Sequence, residues 1–352
     1  MSRWAIRGVL LAAALAGLVA LPIACAAVRR LPLAETGRTW PEAPAIARMA
    51  YLGSLTEPGD VGITGGVVSR AVGWLTGAGD DPLVRPYSIA VIGEAPTTGP
   101  GGTPGPERIA VADTDGRVVH VYDMAQGTHH ALRQIDETTT LATPVAVAYD
   151  ADRRLYVADT VLGRVVRFTA DGRFDREITR NVMRPAGLAL DRARKVLYVA
   201  DAGTHDVRRF TLDGEERGVI GGPFHYPTHL SVAADGTLLV SDSLAFRVVV
   251  LSPDGKTLAT VGHEGDGTGD LRRPKGVAMD PDGHVHVVDA LFDNVQIFDP
   301  RGNFLLAYGE SGAADGEFAL PAGLCIDERG LVYVCDAYNS RVQIFRYLGG
   351  GL

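Results

Sequence analysis

Short segments in which apolar and polar residues alternate, separated by Gly, Asp, Asn and Pro, fill the chain from about residue 86 to residue 345. In the unit that starts at Pro274, a strand follows the proline, a turn occupies residues 280–283, and a second strand ends in Asp289. A third strand ends in Phe298, and a fourth is expected at 303–308. A period of two, interrupted by turn residues, is typical of antiparallel β-strands. The pattern therefore predicts four-stranded antiparallel units.

The same unit occurs six times. Its copies begin at Pro86, Pro144, Pro185, Pro227, Pro274 and Pro321, and the first copy is interrupted before it resumes at residue 108. The successive spacings are 58, 41, 42, 47 and 47 residues. Periods of about 40 to 50 residues are typical of the blades of β-propellers. We therefore predict an all-β, six-bladed β-propeller of four-stranded blades.

The last repeat ends after its third strand, at Phe345, and leaves blade six without a fourth. The segment at 47–55 resembles the fourth-strand sequence near Phe304 in its pattern of apolar residues. We expect it to supply the missing outer strand, because pairing the first strand with the last removes an exposed seam. The propeller is thus predicted to span residues 47–352, with a closing strand at 47–55.

The repeats resemble those of the NHL-repeat family of six-bladed propellers. The resemblance lies in the Pro-x-Gly openings, the Tyr-Val-Ala-Asp segments at 156–159 and 198–201, and the Asn-x-Arg-Val turn at 339–342. It implies the same closed ring, with loops on one face as the usual binding surface. It does not imply one function, since the family includes RNA binders, protein-binding scaffolds, sensor domains and a lyase.

Charge argues against one of these functions. The chain has 34 Lys and Arg against 42 Asp and Glu, a net charge of −8. Proteins that bind phosphate backbones need a cationic surplus. No nucleic acid partner is therefore expected.

Residues 1–27 combine two arginines, an uncharged apolar run and small residues, which is the layout of a secretory signal or an N-terminal membrane anchor. The sequence ending at Cys25 resembles a bacterial lipoprotein cleavage box, which makes Cys25 the candidate lipidation site. Pro22 departs from this pattern, which usually has an aliphatic residue there. Ordinary cleavage and an uncleaved anchor are the alternatives. Residues 28–46 are interpreted as a Pro-containing linker. All three readings place the propeller outside the cytoplasm. With a lipid or an anchor at the N-terminus, the predicted location is membrane-associated, in the periplasm or at the cell surface.

Two insertions interrupt the strand pattern. Residues 59–84 contain apolar residues at helical spacing, which predicts a short amphipathic helix that plugs one end of the ring or contacts a membrane or partner through Trp74. Residues 95–106 are rich in Gly, Pro and Thr and are predicted to form a mobile surface loop.

The loops between strands two and three, together with those that join blades, should lie on one face of the ring, which we call the inter-blade face. Aromatic side chains there suit a protein or peptide partner, although packing onto adjacent loops is an alternative. The candidate partner-binding residues are Phe246, Phe292, Tyr338, His205, His229, Arg272 and Arg273. The predicted function is a non-enzymatic binding or scaffolding module.

Six aspartates recur at the ends of the second strands. We interpret them as structural, with backbone N–H groups and the arginines Arg164, Arg247 and Arg341 as partners. His229 is expected near the channel mouth, where matching positions in other blades carry no metal ligand. No catalytic residue, metal site or cofactor is therefore predicted. The alternative is a metal-dependent lyase or lactonase-like hydrolase with its site at the channel mouth.

Cys325 and Cys335 lie on the first two strands of the last repeat and are expected about opposite each other. Equivalent positions elsewhere hold Ala or Ser, so small side chains suit this site. We expect free buried thiols, with a disulfide as the alternative.

Overall fold

The computed structural model describes residues 37–63, 81–94, 106–180, 182–222 and 224–349. These residues form six antiparallel sheets, and the helical content among them is limited to single 3-10 turns at Pro58–Val61 and Ala337–Asn339. In the part of the chain so described, no helix is both long and apolar enough to cross a membrane. The predicted signal, residues 28–36 of the predicted linker, most of the helical insertion and the loop at 95–105 lie outside the described residues.

Twenty-five strands make up the described sheets, in chain order. The first two are β1 (Thr39–Trp40) and β2 (Met49–Leu55). Blade one consists of β3 (Pro86–Glu94), β4 (Pro106–Asp113), β5 (Val118–Asp123) and β6 (Thr128–Leu132). Blade two consists of β7 (Pro144–Tyr149), β8 (Leu155–Asp159), β9 (Arg164–Phe168) and β10 (Phe174–Thr179). Blade three consists of β11 (Pro185–Asp191), β12 (Val196–Asp201), β13 (Asp206–Thr211) and β14 (Glu216–Gly221).

The remaining blades follow the same order. Blade four consists of β15 (Pro227–Val232), β16 (Leu238–Asp242), β17 (Arg247–Leu251) and β18 (Thr257–Val261). Blade five consists of β19 (Pro274–Met279), β20 (Val285–Asp289), β21 (Asn294–Phe298) and β22 (Phe304–Tyr308). Blade six contains β23 (Leu324–Ile326), β24 (Leu331–Asp336) and β25 (Arg341–Tyr347). Within each blade the first strand is innermost, and the inner strands of successive blades contact one another around the ring.

The closing strand is confirmed. β2 pairs antiparallel with β25, with Met49 opposite Tyr347 and Leu55 opposite Val342. The two-residue strand β1 then pairs with β2 and makes blade six five-stranded, which the sequence pattern did not predict. Because β1 covers its outer edge, β2 is more buried than β10, β14 or β18, the outer strands of blades two to four.

The core lies between neighbouring blades, since each sheet buries apolar side chains against the next one. The junction of blades six and one shows this arrangement: Leu52 and Leu55 from β2 share one buried cluster with Ile89 and Ile109 from blade one and Tyr333 from blade six. Burial of this apolar surface is the main stabilising contribution to the ring.

The predicted pairing of the two cysteines is wrong in register. Cys325 lies opposite Tyr333, not Cys335, because the hairpin closes between Asp327 and Leu331 and is centred one residue earlier than expected. Both thiols are free, as expected, and both lie at the junction of blades six and one. Burial, with a smaller contribution from Asp327, raises the pKa of Cys325 to about 12.

Candidate functional site: a cationic channel mouth inside an apolar rim

The aspartate that ends the second strand of each blade is a backbone clamp. Asp289 accepts hydrogen bonds from the backbone N–H groups of Arg272 and Arg273, before Pro274, and from those of Leu291 and Phe292, in the next loop. The equivalent carboxylates are all fully buried and accept the same class of bond: Asp113, Asp159, Asp201, Asp242 and Asp336. The backbone hydrogen bonds expected of these aspartates are therefore present in every blade.

The expected arginine partners are present in only two of three cases. Arg341 donates to Asp336 at 2.8 Å, and Arg247 lies 3.5 Å from Asp242. Arg164 instead forms an ion pair with Glu177 at 3.4 Å, on the neighbouring strand β10. A carboxylate that already accepts four backbone N–H bonds has little need of a charged partner, and Asp159 accepts from residues 142, 143, 161 and 162.

In five of the six blades the clamp fixes the residue that precedes the opening proline. In blade five the N–H of Arg273 is held by Asp289, while its carbonyl accepts from Ala290 at 3.0 Å. The same two bonds hold Arg85 in blade one and Arg184 in blade three. Alternate blades therefore present an arginine whose backbone is held in place, at a position where the other three blades carry Thr143, Tyr226 and Leu320.

Side chains from opposite sides of the ring meet across its axis. The rings of Tyr87, from blade one, and His229, from blade four, have centroids 5.4 Å apart. The Nζ atom of Lys275, from blade five, lies 5.1 Å from the centroid of the Tyr87 ring. We use the term channel mouth for Arg85, Arg184, Arg273, Lys275, Tyr87 and His229.

The floor of the mouth is narrow because the inner strands are tightly packed. A Cβ atom on Gly276 would lie 2.4 Å from the backbone nitrogen of Leu324, and one on Gly187 would lie 2.3 Å from the carbonyl oxygen of Thr228. Only a cavity of about 40 Å³ remains beside His229. That volume holds roughly one water molecule, so a larger ligand cannot pass through the channel at this level.

Burial and like charge both act on the titratable groups of the mouth. Burial, reinforced by the charges of Arg273 and Arg85, lowers the pKa of Lys275 to about 8. Burial and the charge of Lys275 lower the pKa of His229 to about 3. The Tyr87 carbonyl weakly opposes this second shift, although it lies outside hydrogen-bonding geometry.

Counter-charges at the mouth are few. Arg85 forms a half-exposed ion pair with Asp115 at 3.1 Å. Within the described ranges, no acidic side chain forms an ion pair with Arg184, Arg273 or Lys275. Two arginines are stacked on aromatic rings instead, Arg85 on Tyr338 at 4.6 Å and Arg184 on Tyr226 at 5.7 Å. These contacts orient the cations without neutralising them.

An apolar rim surrounds the channel mouth. The residue two positions after the clamp aspartate is a large exposed hydrophobic side chain in blades two, four, five and six. In blade three this position is Gly203, and the exposed Met183 covers it, while Val84 is exposed beside blade one. The apolar rim thus has one member per blade: Val84, Val161, Met183, Leu244, Leu291 and Tyr338.

The structure brings three of the predicted site residues to the channel mouth or its rim: Tyr338, His229 and Arg273. The other four lie further out. Phe246 and Phe292 are half-buried beside the more exposed Leu244 and Leu291. His205 bonds the His225 carbonyl at 2.6 Å through Nδ1, and Arg272 pairs with Asp266. The candidate lipidation site Cys25 lies outside the described residues.

The predicted set of site residues missed Arg85, Arg184, Tyr87 and Lys275. A signal was present: when the repeats are aligned on their opening prolines, Arg precedes the proline in units one, three and five. Among the residues that the structure describes, no group of three or more His, Cys, Asp or Glu side chains is placed to hold a metal ion.

The fold and the repeated clamp define a six-bladed β-propeller. The NHL repeat model matches residues 318–345, so the resemblance to NHL-repeat propellers is confirmed in the last repeat. Mouse nidogen-2 is 34% identical over 79 residues, which is 22% of this chain and 6% of the length of nidogen-2.

Solved structures share the fold. A streptogramin B lyase aligns with a TM-score of 0.55 at 12% identity, over 75% of this chain and 94% of the lyase. A virginiamycin B lyase from Staphylococcus aureus aligns with a TM-score of 0.53 at 14% identity, over 75% and 95% of the two chains. At such identities the likeness establishes the propeller architecture and carries no activity with it.

Proposed function

We propose that this chain is an exported binding module that holds a protein or peptide partner on its inter-blade face. The observation that carries the proposal is the apolar rim, with one exposed hydrophobic residue per blade around a cationic mouth. The other large hydrophobic side chains that are exposed in the described residues lie outside this rim: Ile46, Phe174, Val219, Leu258 and Leu348. Exposed apolar residues gathered on one face are typical of interaction surfaces.

The composition of this face suits a protein partner. Tyr and Arg are both enriched in interfaces, and both occur here as stacked pairs. The clamp aspartates hold the loops in place, so little ordering is required on binding. A rigid surface with a polar centre therefore favours stable capture of one partner.

Site-specific photocrosslinking in the native cell tests the proposal. A benzophenone amino acid at Leu291, on the apolar rim, should form one dominant adduct with a second protein. The matched control is Leu258, which is exposed to a similar degree, 56% against 52%, but lies on the outer strand β18. Leu291→Asp should then abolish the adduct formed from a probe at Tyr338, whereas Leu258→Asp should leave it unchanged.

Two results would contradict the proposal. Equal crosslinking from Leu291 and Leu258 would mean that the rim has no special partner, and the absence of any adduct from the rim positions would mean that it has none.

Export and membrane attachment are part of the same proposal. The layout of residues 1–27, with Cys25 after a short apolar run, supports an N-terminal lipid or anchor that holds the ring at a membrane. A partner captured there would belong to the periplasm or the cell surface.

The metal-dependent enzyme remains the alternative hypothesis. It requires about one zinc or calcium ion per purified chain, measured by elemental analysis, together with loss of activity on chelation. A binding module requires neither.

A further inference from the structure

The channel mouth has the chemistry of an anion site, and this inference rests on the binding function proposed above. Three cations there, Arg184, Arg273 and Lys275, have no acidic partner in the described residues. His229 is only 7% exposed, and neither of its ring nitrogens has a hydrogen-bond partner among those residues. Buried polar atoms without partners are rare and require an explanation. A ligand atom in the mouth would supply one.

We propose that the channel mouth binds a carboxylate group of an acidic peptide segment of the partner, with Lys275 and Arg273 as its ion partners and His229 as a hydrogen-bond donor. Guanidinium groups bind carboxylates in bidentate geometry, and an ammonium group adds a point charge. The floor formed by Tyr87 and His229 requires the group to enter end-on. A free C-terminus and an Asp or Glu side chain both meet that requirement.

The backbone around Lys275 is fixed, and its ammonium group lies against the Tyr87 ring before a ligand arrives. The Ser241 hydroxyl donates to the Lys275 carbonyl at 2.5 Å, and the Ser243 hydroxyl donates to the Pro274 carbonyl at 2.5 Å. The N–H of Gly276 donates to the Ala322 carbonyl of the next blade at 2.9 Å. A preorganised cation loses little entropy on binding, which increases affinity.

The groups that face Lys275 make binding pH-dependent. Arg273 and Arg85 repel its charge, and the ring of Tyr87 and the neutral His229 lie beside it. Because these surroundings lower the pKa of Lys275 to about 8, the free site loses this charge above that pH. A bound carboxylate favours the charged form, so affinity should decline by up to about tenfold for each pH unit above 8.

Fluorescence anisotropy with purified full chain tests the inference. The probes are fluorescein-labelled peptide pools with five randomised positions followed by Glu-Glu and a free C-terminus. One further pool carries a C-terminal amide, a second carries Gln-Gln in place of Glu-Glu, and a third carries both changes. A fourth pool carries both changes and a phosphoserine. The acidic pool should bind more tightly than the doubly neutralised pool. Loss through the amide alone identifies the C-terminus as the source, and loss through Gln-Gln identifies the side chains.

The variants separate charge from structure. Lys275→Met should weaken the acidic pool by roughly tenfold to a hundredfold, the range expected for a lost hydrogen bond to a charged group. Lys275→Arg should restore affinity and remove the decline above pH 8. The matched control, Lys256→Met, changes an exposed lysine of the β17–β18 turn, on the opposite face, and should leave the affinity unchanged.

The inference is overturned if Lys275→Met binds the acidic pool within twofold of the unmodified chain, if neutral pools bind equally well, if only the phosphorylated pool binds, or if no acidic pool binds at millimolar concentration. These failures are distinct from failure of the proposed function. A partner crosslinked at Leu291 whose capture tolerates Lys275→Met would preserve the binding module and reject the carboxylate site.

Discussion

The closing strand offers the sharpest test of the architecture. Leu52, in β2, is 1% exposed and belongs to the buried cluster between blades six and one. Leu52→Ala removes the equivalent of three methylene groups, and each contributes a transfer free energy of about 0.8 kcal/mol when it is buried away from water. The cavity left behind increases the loss, so the expected decrease in the free energy of unfolding is about 2–5 kcal/mol.

Urea unfolding followed by circular dichroism measures this loss. Leu258→Ala provides the control, because it is the same substitution in the outer strand of blade four, where the side chain is exposed. It should change the free energy of unfolding by less than about 0.5 kcal/mol. The difference between the two variants isolates burial at the seam from the propensity of Leu for a β-strand.

A Leu52→Ala chain as stable as Leu258→Ala would refute the reasoning. It would mean that β2 does not pack between the last blade and the first, and that the ring is closed in another way or not at all. A loss of stability shared by both variants would instead point to strand propensity as the cause.

Four further outcomes are expected. Asp289→Asn should lower the free energy of unfolding by about 1–3 kcal/mol, because an amide replaces one acceptor oxygen of the clamp with a donor. It should also weaken partner capture by freeing Arg273. An unchanged urea midpoint would contradict the stabilising role given to Asp289. Gly276→Ala should lower the free energy of unfolding by about 1–3 kcal/mol or more, because the added Cβ would clash with backbone atoms. Gly221→Ala has open space around its Cβ position and should leave the free energy of unfolding unchanged in the same urea titration. The pKa of His229 is about 3 in the folded chain and near 6.5 in the unfolded chain, so only the unfolded chain binds a proton between these values. The free energy of unfolding therefore falls as the pH decreases from 6.5 towards 3. His229→Gln should make this fall less steep by up to about 1.4 kcal/mol per pH unit, and identical pH profiles of the two chains would contradict the role given to His229. Cys25→Ser should release a lipidated chain from the membrane fraction, and mass spectrometry of the N-terminal peptide distinguishes lipidation from ordinary cleavage or retention of an anchor.

The repeat made most of the fold predictable. Each unit carries the proline, the turn and the aspartate that set strand order, so both the number of blades and the need for a strand from residues 47–55 followed from a simple alignment. β1 was not predictable, because two residues provide no alternation, and its pairing with β2 depends on tertiary contact. The predicted register of the two cysteines was wrong because the turn between their strands is centred one residue earlier than expected. The spacing of residues in the sequence does not by itself determine where such a turn is centred.

The site was less predictable than the fold because its parts are far apart in the sequence. Tyr87, His229 and Lys275 come from blades one, four and five, and nothing near each residue indicates the other two. The aromatic residues chosen from the loops were reasonable by composition. Their exposure, however, depends on the direction of each loop, and in blades four and five it is the leucine before the aromatic residue that points outward.

Arg48 donates to the Gly349 carbonyl at 3.0 Å across 301 residues of sequence, beside the pairing of β2 with β25. The sixth sheet therefore cannot be completed on a ribosome before nearly all of the polypeptide has been made. A product that loses its front portion to a protease exposes β25 as an unpaired edge, and a product that stops before β25 leaves β2 without its partner. Damaged molecules should thus associate through these edges more readily than intact ones, in which β2 and β25 cover each other.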